Sequence, residues 1–217
     1  MPGDGGGAKL TGVERPALPK LIGHGDVLLR LPVESDIDVV VDALQDREIS
    51  RWTTVPWPYG QVEARTWAGL AARTRREGTA LHLLIVDRLS GSLLGAVGAA
   101  DLDWDGGVAE VGYWLAAVAR GRGVATRALR VLTAFLLQAG MARCYAEVMA
   151  GNEASEGVLE RVGYQREGVM RSVPAGRCGT DLERIDITTF SLLPTDAAAK
   201  ELTGLDLAFG AAALDGA

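Results

Sequence analysis

Between Val108 and Phe135 the apolar positions change period, and the change splits this stretch into a strand and a helix. Val111, Tyr113 and Leu115 alternate with Gly112, Trp114 and Ala116, the two-residue period of a strand. From Val124 the period lengthens: Val124, Ala128, Val131, Leu132 and Phe135 share one helical face, and Thr126, Arg127, Arg130 and Thr133 take the other. Between the two lies Arg120-Gly121-Arg122-Gly123-Val124-Ala125, a junction of small residues and two arginines. Small residues let backbone approach a ligand, and the first helical turn leaves its N–H groups without partners. Those amides, the positive end of the helix dipole and the arginines together suit a phosphate group. The competing reading is a plain connection, with glycines for geometry and arginines for solubility. Two common phosphate loops do not apply: there is no G-x-x-x-x-G-K-[ST], and Gly121 and Gly123 lack the third glycine of G-x-G-x-x-G.

The same reading of period and breakers orders the rest of the chain. Residues 26–31 read as a first strand, and a helix capped by Ser35 or Asp36 runs to about Leu44. The stretch 49–60, with Trp52, Trp57 and Tyr59 among its breakers, reads as a loop. A second helix covers residues 61 to about 77, with Val62, Trp67, Leu70 and Ala71 on its buried side. Residues 81–87 and 93–102 form a hairpin, and 104–107 turn the chain into the strand that begins at Val108. After the long helix come a strand over 144–150, a short helix within 151–164 and a closing hairpin. The expected fold is therefore mixed α/β (α+β), a central mixed sheet flanked by helices. Residues 1–20, rich in Gly and Pro, read as a disordered N-terminal segment, residues 21–193 as one domain, and 194–217 as a tail, disordered or one short helix. Leu202, Leu205 and Phe209 have the near-helical spacing of a partner or homodimer surface.

Composition narrows the class of activity. No apolar run approaches the roughly 20 residues that span a bilayer, and the first 20 residues lack an apolar signal core, so a cytoplasmic protein without membrane contact is expected. The net charge of −6 argues against a nucleic-acid partner. Cys144 and Cys178 make no disulfide framework, and no metal-ligand spacing occurs near them; Cys144 reads as a small core residue. His82, within the apolar run 81–86, reads as a core or sheet residue.

The pattern Arg-x-x-Gly-x-Ala at 120–125, after a strand ending in Trp114-Leu115, resembles the acyl-CoA pyrophosphate loop of the GNAT acetyltransferase superfamily. Asn152-Glu153-Ala154-Ser155 followed by Gly163-Tyr164 resembles a segment of its RimJ/RimL-like branch, as do the stretches at 27–52, 107–115 and 164–171. The resemblance covers about 26–193 in the right order. It implies a GNAT fold and an N-acetyltransferase that carries an acetyl group from acetyl-CoA to a primary amine, a small molecule or a protein N-terminus. It implies no metal. A longer acyl-CoA or an aminoacyl-tRNA as donor, and a noncatalytic acyl-CoA sensor, stand as alternatives.

The resemblance also implies roles. Trp114, Leu115 and Ala116 would run beside the pantetheine arm, and Arg120, Gly121, Arg122, Gly123, Val124, Ala125 and Thr126 would hold the pyrophosphate. Asn152 and Ser155 would lie near the sulfur. Either Glu110, on the central strand, or Glu147, five positions before Asn152, would take the amine's proton, with Glu110 the first choice; a solvated carboxylate is the plain alternative for each. Leu159 occupies the position where many members carry a tyrosine acid, so Ser155 would assist the leaving thiolate unless it only caps its helix. Tyr113 and Tyr164 stand as further candidates for that acid, though they read more as packing residues. Trp52, Trp57 and Tyr59 would border the acceptor, or pin the two early helices together.

Overall fold

The period-two segments of this chain pair into one sheet, seen in a computed structural model that describes residues 16–174 and 184–210. Its strands are β1 (Leu21–His24), β2 (Val27–Arg30), β3 (Leu81–Asp87), β4 (Leu93–Asp103), β5 (Val108–Leu115), β6 (Arg143–Met149), β7 (Gln165–Pro174), β8 (Arg184–Leu192) and β9 (Ala208–Phe209). The helices are α1 (Ile37–Ala43), α2 (Arg47–Trp52), α3 (Gln61–Glu77), α4 (Val124–Gln138), α5 (Glu153–Val162) and α6 (Ala197–Thr203). The sheet order is β7-β8-β6-β5-β4-β3-β2-β1-β9. Among these strands only β5 and β6 pair in parallel, with α4 making the crossover that a parallel pair requires. The mixed sheet flanked by helices is the architecture expected.

Strand alternation sends side chains to two cores. On one face Leu83, Val97, Val111 and Ala146 pack beneath α4, α5 and α6; on the other Leu84 and Ala96 meet α1, α2 and α3. Helix α4 is buried nearly all round, because α5 and α6 pack on it as well as the sheet. Thr133, expected on its polar face, is therefore buried, and its hydroxyl is satisfied at 2.8 Å by Tyr164 Oη. Tyr164 is the packing residue expected.

Several boundaries differ from the sequence reading. Residues 47–52, four of them within the expected loop, form α2, because Asp46 accepts a hydrogen bond from Glu48 N–H and caps a helix that the sequence pattern is too short to announce. Val62 is exposed, and Ala64 and Ala71 form the buried stripe of α3. Leu18, within the expected N-terminal segment 1–20, is buried, and its carbonyl accepts from Arg75 Nη1 at 2.6 Å. Residues 1–15 and Cys178 lie outside the described residues. The described part of the tail, 194–210, folds back: α6 buries Leu202, Leu205 packs against the same core, and β9 extends the sheet beside β1; residues 211–217 lie outside the described residues. Leu202 and Leu205 are thus interior rather than a partner surface, and Phe209 stays exposed with its ring edge-on to Phe135.

Candidate active site

The β5–α4 junction is shaped by two left-handed residues, Gly121 at φ 70° and Gly123 at φ 69°. Any other residue type there would cost about 1–2 kcal/mol. The first helical hydrogen bond runs from Arg127 N–H to Gly123 C=O (3.1 Å), so the amides of Val124, Ala125 and Thr126 have no intrahelical acceptor. The arginines are arranged differently from the expectation. Arg120 turns toward Asp46 (2.7 Å) and donates to the Leu115 carbonyl at 3.1 Å, joining the turn to the start of α2. Arg122 folds back toward the Val118 carbonyl (3.4 Å) and does not line the cavity described next. The turn thus presents its backbone and the helix end, an arrangement that suits an anion, and Arg120 lines the cavity described next.

Beyond the turn the sheet opens. The β5–β6 register runs Val108↔Arg143, Ala109↔Cys144, Glu110↔Tyr145 and stops, although both strands continue. Ala116 N–H is taken by Leu94 C=O (3.0 Å), so by alternation Leu115, Tyr113 and Val111 turn their peptide groups toward the gap. Ala116 is therefore not among the residues that face the opening, contrary to expectation, whereas Trp114 and Leu115 line it. The opening belongs to one cavity of about 1350 Å³, lined by residues from both faces of the sheet. Val111, Tyr113, Val124, Ala125, Val158 and Leu159 lie on the α4–α5 side, and Trp67, His82, Glu110 and Glu147 on the other. This exceeds the usual range for a single small ligand, about 300–1,000 Å³.

Both candidate carboxylates face this cavity. Glu110 Oε2 accepts a hydrogen bond from Tyr145 Oη at 3.2 Å. Burial, followed by the charge of Glu110, pushes the Tyr145 phenol up to about 12, so it remains a donor. Glu147 lies two residues along β6 on the same side. At the α5 side Asn152 Oδ1 accepts from Ser155 N–H at 3.2 Å and caps the helix. Ser155 is thereby relieved of capping, and its Oγ lies 2.8 Å from Tyr113 Oη. Tyr113 is thus more than a packing residue. Its phenol is pushed up to about 12 chiefly by burial. Leu159 is fully buried at the cavity wall.

At the far end, Trp52 and Tyr59 line the cavity. Trp57 does not: it is 41% exposed, with the Arg47 guanidinium 4.9 Å from its ring centre. Trp67 joins the lining without having been singled out, and Tyr145 reaches the site through its hydrogen bond to Glu110. His82 does too, and the alternation in 81–86 carried the signal, since it sets His82 opposite the Leu81, Leu83 and Ile85 face. Cys144 is fully buried and burial pushes its thiol up to about 12, so it is no nucleophile. Among the described residues no His/Cys/Asp/Glu cluster could hold a metal, and no helix is long and apolar enough to cross a membrane.

Comparison with known proteins agrees with this geometry. The model of the acetyltransferase (GNAT) domain matches residues 26–165. An uncharacterized N-acetyltransferase, p20, of Bacillus licheniformis is 27% identical over 160 residues, covering 73% of this chain and 87% of the relative. RimJ of Mycobacterium smegmatis, solved with a CoA disulfide, superposes with a TM-score of 0.74 at 21% identity, over 86% of this chain and 95% of that one. RimL, a ribosomal L7/L12 alpha-N-protein acetyltransferase solved with coenzyme A, gives 0.68 at 20% identity, over 81% and 97%. At such identities the two superpositions establish the shared fold.

Proposed function

Because this chain belongs to the acetyltransferase (GNAT) family, we propose that it transfers the acetyl group of acetyl-CoA to a primary amine. The observation that carries this reading is the cavity that passes through the sheet at the β5–β6 opening, with free helix amides at one end and carboxylates at the other. The backbone of Gly121 to Thr126 suits the pyrophosphate. The peptide groups of Val111, Tyr113 and Leu115 suit the amides of a pantetheine arm. Bound forms of RimJ and RimL with CoA support the donor.

The acceptor enters from the α1–α3 side, between Trp52, Tyr59 and Trp67. Glu48, Glu63, Glu110 and Glu147 make that end acidic, which suits a cation. An ammonium cannot attack, so it must first lose a proton, and Glu110, oriented by Tyr145, is the group we assign to take it; Glu147 is the second choice. The nitrogen then bonds to the acetyl carbon as the bond to sulfur breaks. Ser155, held by Tyr113, donates a hydrogen bond to the departing sulfur. RimL's action on a ribosomal protein favours a protein N-terminus as acceptor.

Calorimetry with acetyl-CoA tests the donor, and mass spectrometry after incubation with Ser- and Ala-initiated peptides, phenethylamine and spermidine tests the acceptor. Acetyl-CoA binding with acetylation of at least one amine is expected. A protein that does not bind acetyl-CoA would overturn the reading.

A further inference from the structure

We propose that His82 is a catalytic residue of this acetyl transfer, receiving the proton that the acceptor nitrogen loses as the amide bond forms. The proposal rests on the reading above, that the cavity brings an acetyl donor and an amine together.

The placement is set by sheet register. His82 pairs with Gly98 and Gly98 with Gly112, so these three residues form one row across β3, β4 and β5. Two of the three have no side chain, and the imidazole lies in the trough this leaves. A Cβ added at Gly98 would come within 2.9 Å of His82 Nδ1, while one at Gly112 would meet nothing within 4 Å. The space over Gly112 is thus open, and Gly112 is the second residue past the last β5–β6 pair, at the mouth of the gap. At about 4.8 Å between strands, Gly112 lies about 10 Å across the sheet from the His82 backbone, a span that the ring and one small nitrogen fill. The adjoining rows carry Ala100, Glu110 and Tyr145 on one side and Leu84, Ala96 and Trp114 on the other. The ring therefore stands between the carboxylate assigned to the first proton and the indole wall.

A histidine with only a packing role would bond its ring nitrogens to neighbours. The hydroxyls of Tyr113, Tyr145 and Tyr164 all do so, whereas neither ring nitrogen of His82 has a hydrogen-bond partner among the described residues. Burial lowers the His82 pKa below its ordinary 6.5, and it is the sole cause. The titratable groups on the facing elements, Glu48 of α2, Tyr59, Glu63 of α3, Glu110 of β5, and Tyr145 and Glu147 of β6, do not hold it protonated. The ring at neutral pH is a neutral imidazole with a lone pair, as a base must be.

The step balances with two proton acceptors. Glu110 takes the proton that the ammonium sheds. The neutral amine then forms the C–N bond through its lone pair, and the N–H proton passes to His82, giving imidazolium. The C–S bond breaks with its electron pair on sulfur, which takes a proton from the Ser155–Tyr113 hydroxyl pair. Water removes the imidazolium proton and restores the hydroxyls.

The test compares full-length wild type with His82→Gln, His82→Ala and Gly98→Ala, using whichever amine of the panel above the wild type acetylates fastest. His82→Gln is expected to keep acetyl-CoA affinity by calorimetry, lose about a hundredfold in kcat, and lose the acidic limb that imidazole protonation imposes on the pH–rate profile. Added imidazole should restore part of the His82→Ala rate. Gly98→Ala, whose Cβ would meet His82 Nδ1 and the Leu81 carbonyl at 2.9 Å each, should displace the ring and lower kcat with acetyl-CoA affinity intact. Wild-type turnover in His82→Gln, or a slow variant with an unchanged pH profile and no imidazole rescue, would overturn the proposal. Only two histidines occur in the chain, so nitrogen NMR of wild type resolves His82 without any acceptor; a ring protonated at pH 7 would also overturn it. A wild type that fails to bind acetyl-CoA would instead remove the transferase reading.

Discussion

The hydroxyl oxygens of Tyr113 and Ser155 lie 2.8 Å apart, joining the central strand β5 to helix α5 across the cavity wall. Tyr113 Oη also donates toward the Ser155 carbonyl at 3.3 Å. Either oxygen of the pair can be the donor; when the phenol proton is given to Ser155 Oγ, the serine O–H is left to point at a ligand.

The first prediction follows from that pair. Ser155→Ala should raise the barrier by about 1–3 kcal/mol if chemistry limits the rate. The loss should be smallest with the acyl donor whose thiol is most acidic. Tyr113→Phe should cost a similar amount, and the double variant little more than either single one, because the two groups act as a unit. Asn152 caps α5, so the melting temperature of Ser155→Ala should stay close to wild type. Equal rate losses across donors would assign Ser155 no part in thiolate departure.

Glu110→Gln should lower kcat while leaving acetyl-CoA affinity within about twofold, because the carboxylate acts after the donor is bound. Tyr145→Phe, which removes the hydrogen bond to Glu110, should show a smaller loss in the same direction. Steady-state kinetics and calorimetry on both, beside Glu147→Gln, check this. A fully active Glu110→Gln with an inactive Glu147→Gln would reverse the ranking of the two carboxylates.

Gly123→Val should weaken CoA binding at least tenfold. Its Cβ would lie 3.1 Å from Arg127 Nη1, and its branches would cover the free amides of the turn. Left-handed strain alone is controlled by Gly140→Ala, at φ 98° with open space around it and away from the cavity. That variant should lose about 1–2 kcal/mol of stability and no CoA affinity. Similar CoA affinity in both variants would leave the turn without a role in binding.

Glu167 is bound by Arg143 in two hydrogen bonds of 2.6 Å and accepts from Ser191 Oγ at 2.7 Å. The Arg143 bonds, then the Ser191 bond, hold its carboxyl at about 2. The unfolded value is about 4.3. A depressed folded pKa means the contribution is complete above about 4.3 and disappears as pH falls toward 2. The pair is partly exposed, so Glu167→Gln should cost about 1 kcal/mol or less at pH 7, and the difference from wild type should vanish near pH 2 in denaturant melts.

Leu202→Ala should cost about 2–5 kcal/mol, since this side chain of α6 is fully buried against the main core. Chemical denaturation measures it. A loss below 1 kcal/mol would mean that α6 is only loosely attached.

The strand-to-helix switch at 108–135 was legible because each period persists over two or more turns or pairs, and the turn between them is marked by two glycines. The carboxylates Glu110 and Glu147 could be named because the family resemblance marks their positions, one on the central strand and one five positions before Asn152. Three features were hidden for physical reasons. Helix α2 is six residues long, too short for a helical period, and rests on the Asp46 cap. The direction of Arg120 depends on Asp46, 74 positions earlier in the chain, which no local pattern encodes. The row of His82, Gly98 and Gly112 exists only once β3, β4 and β5 are in register. Trp57 shows the converse: an aromatic beside a breaker marks a loop, yet not which way the ring turns.

The interruption of pairing after Glu110 and Tyr145 has a kinetic corollary. A passage that crosses the sheet admits one reactant from each side, so neither must leave before the other arrives. The buried, inert Cys144 provides no acyl-enzyme stage that would separate the two visits. Initial rates plotted reciprocally at several fixed concentrations of the second reactant should therefore give intersecting lines, the signature of a ternary complex, where parallel lines would signal a relay through the protein itself.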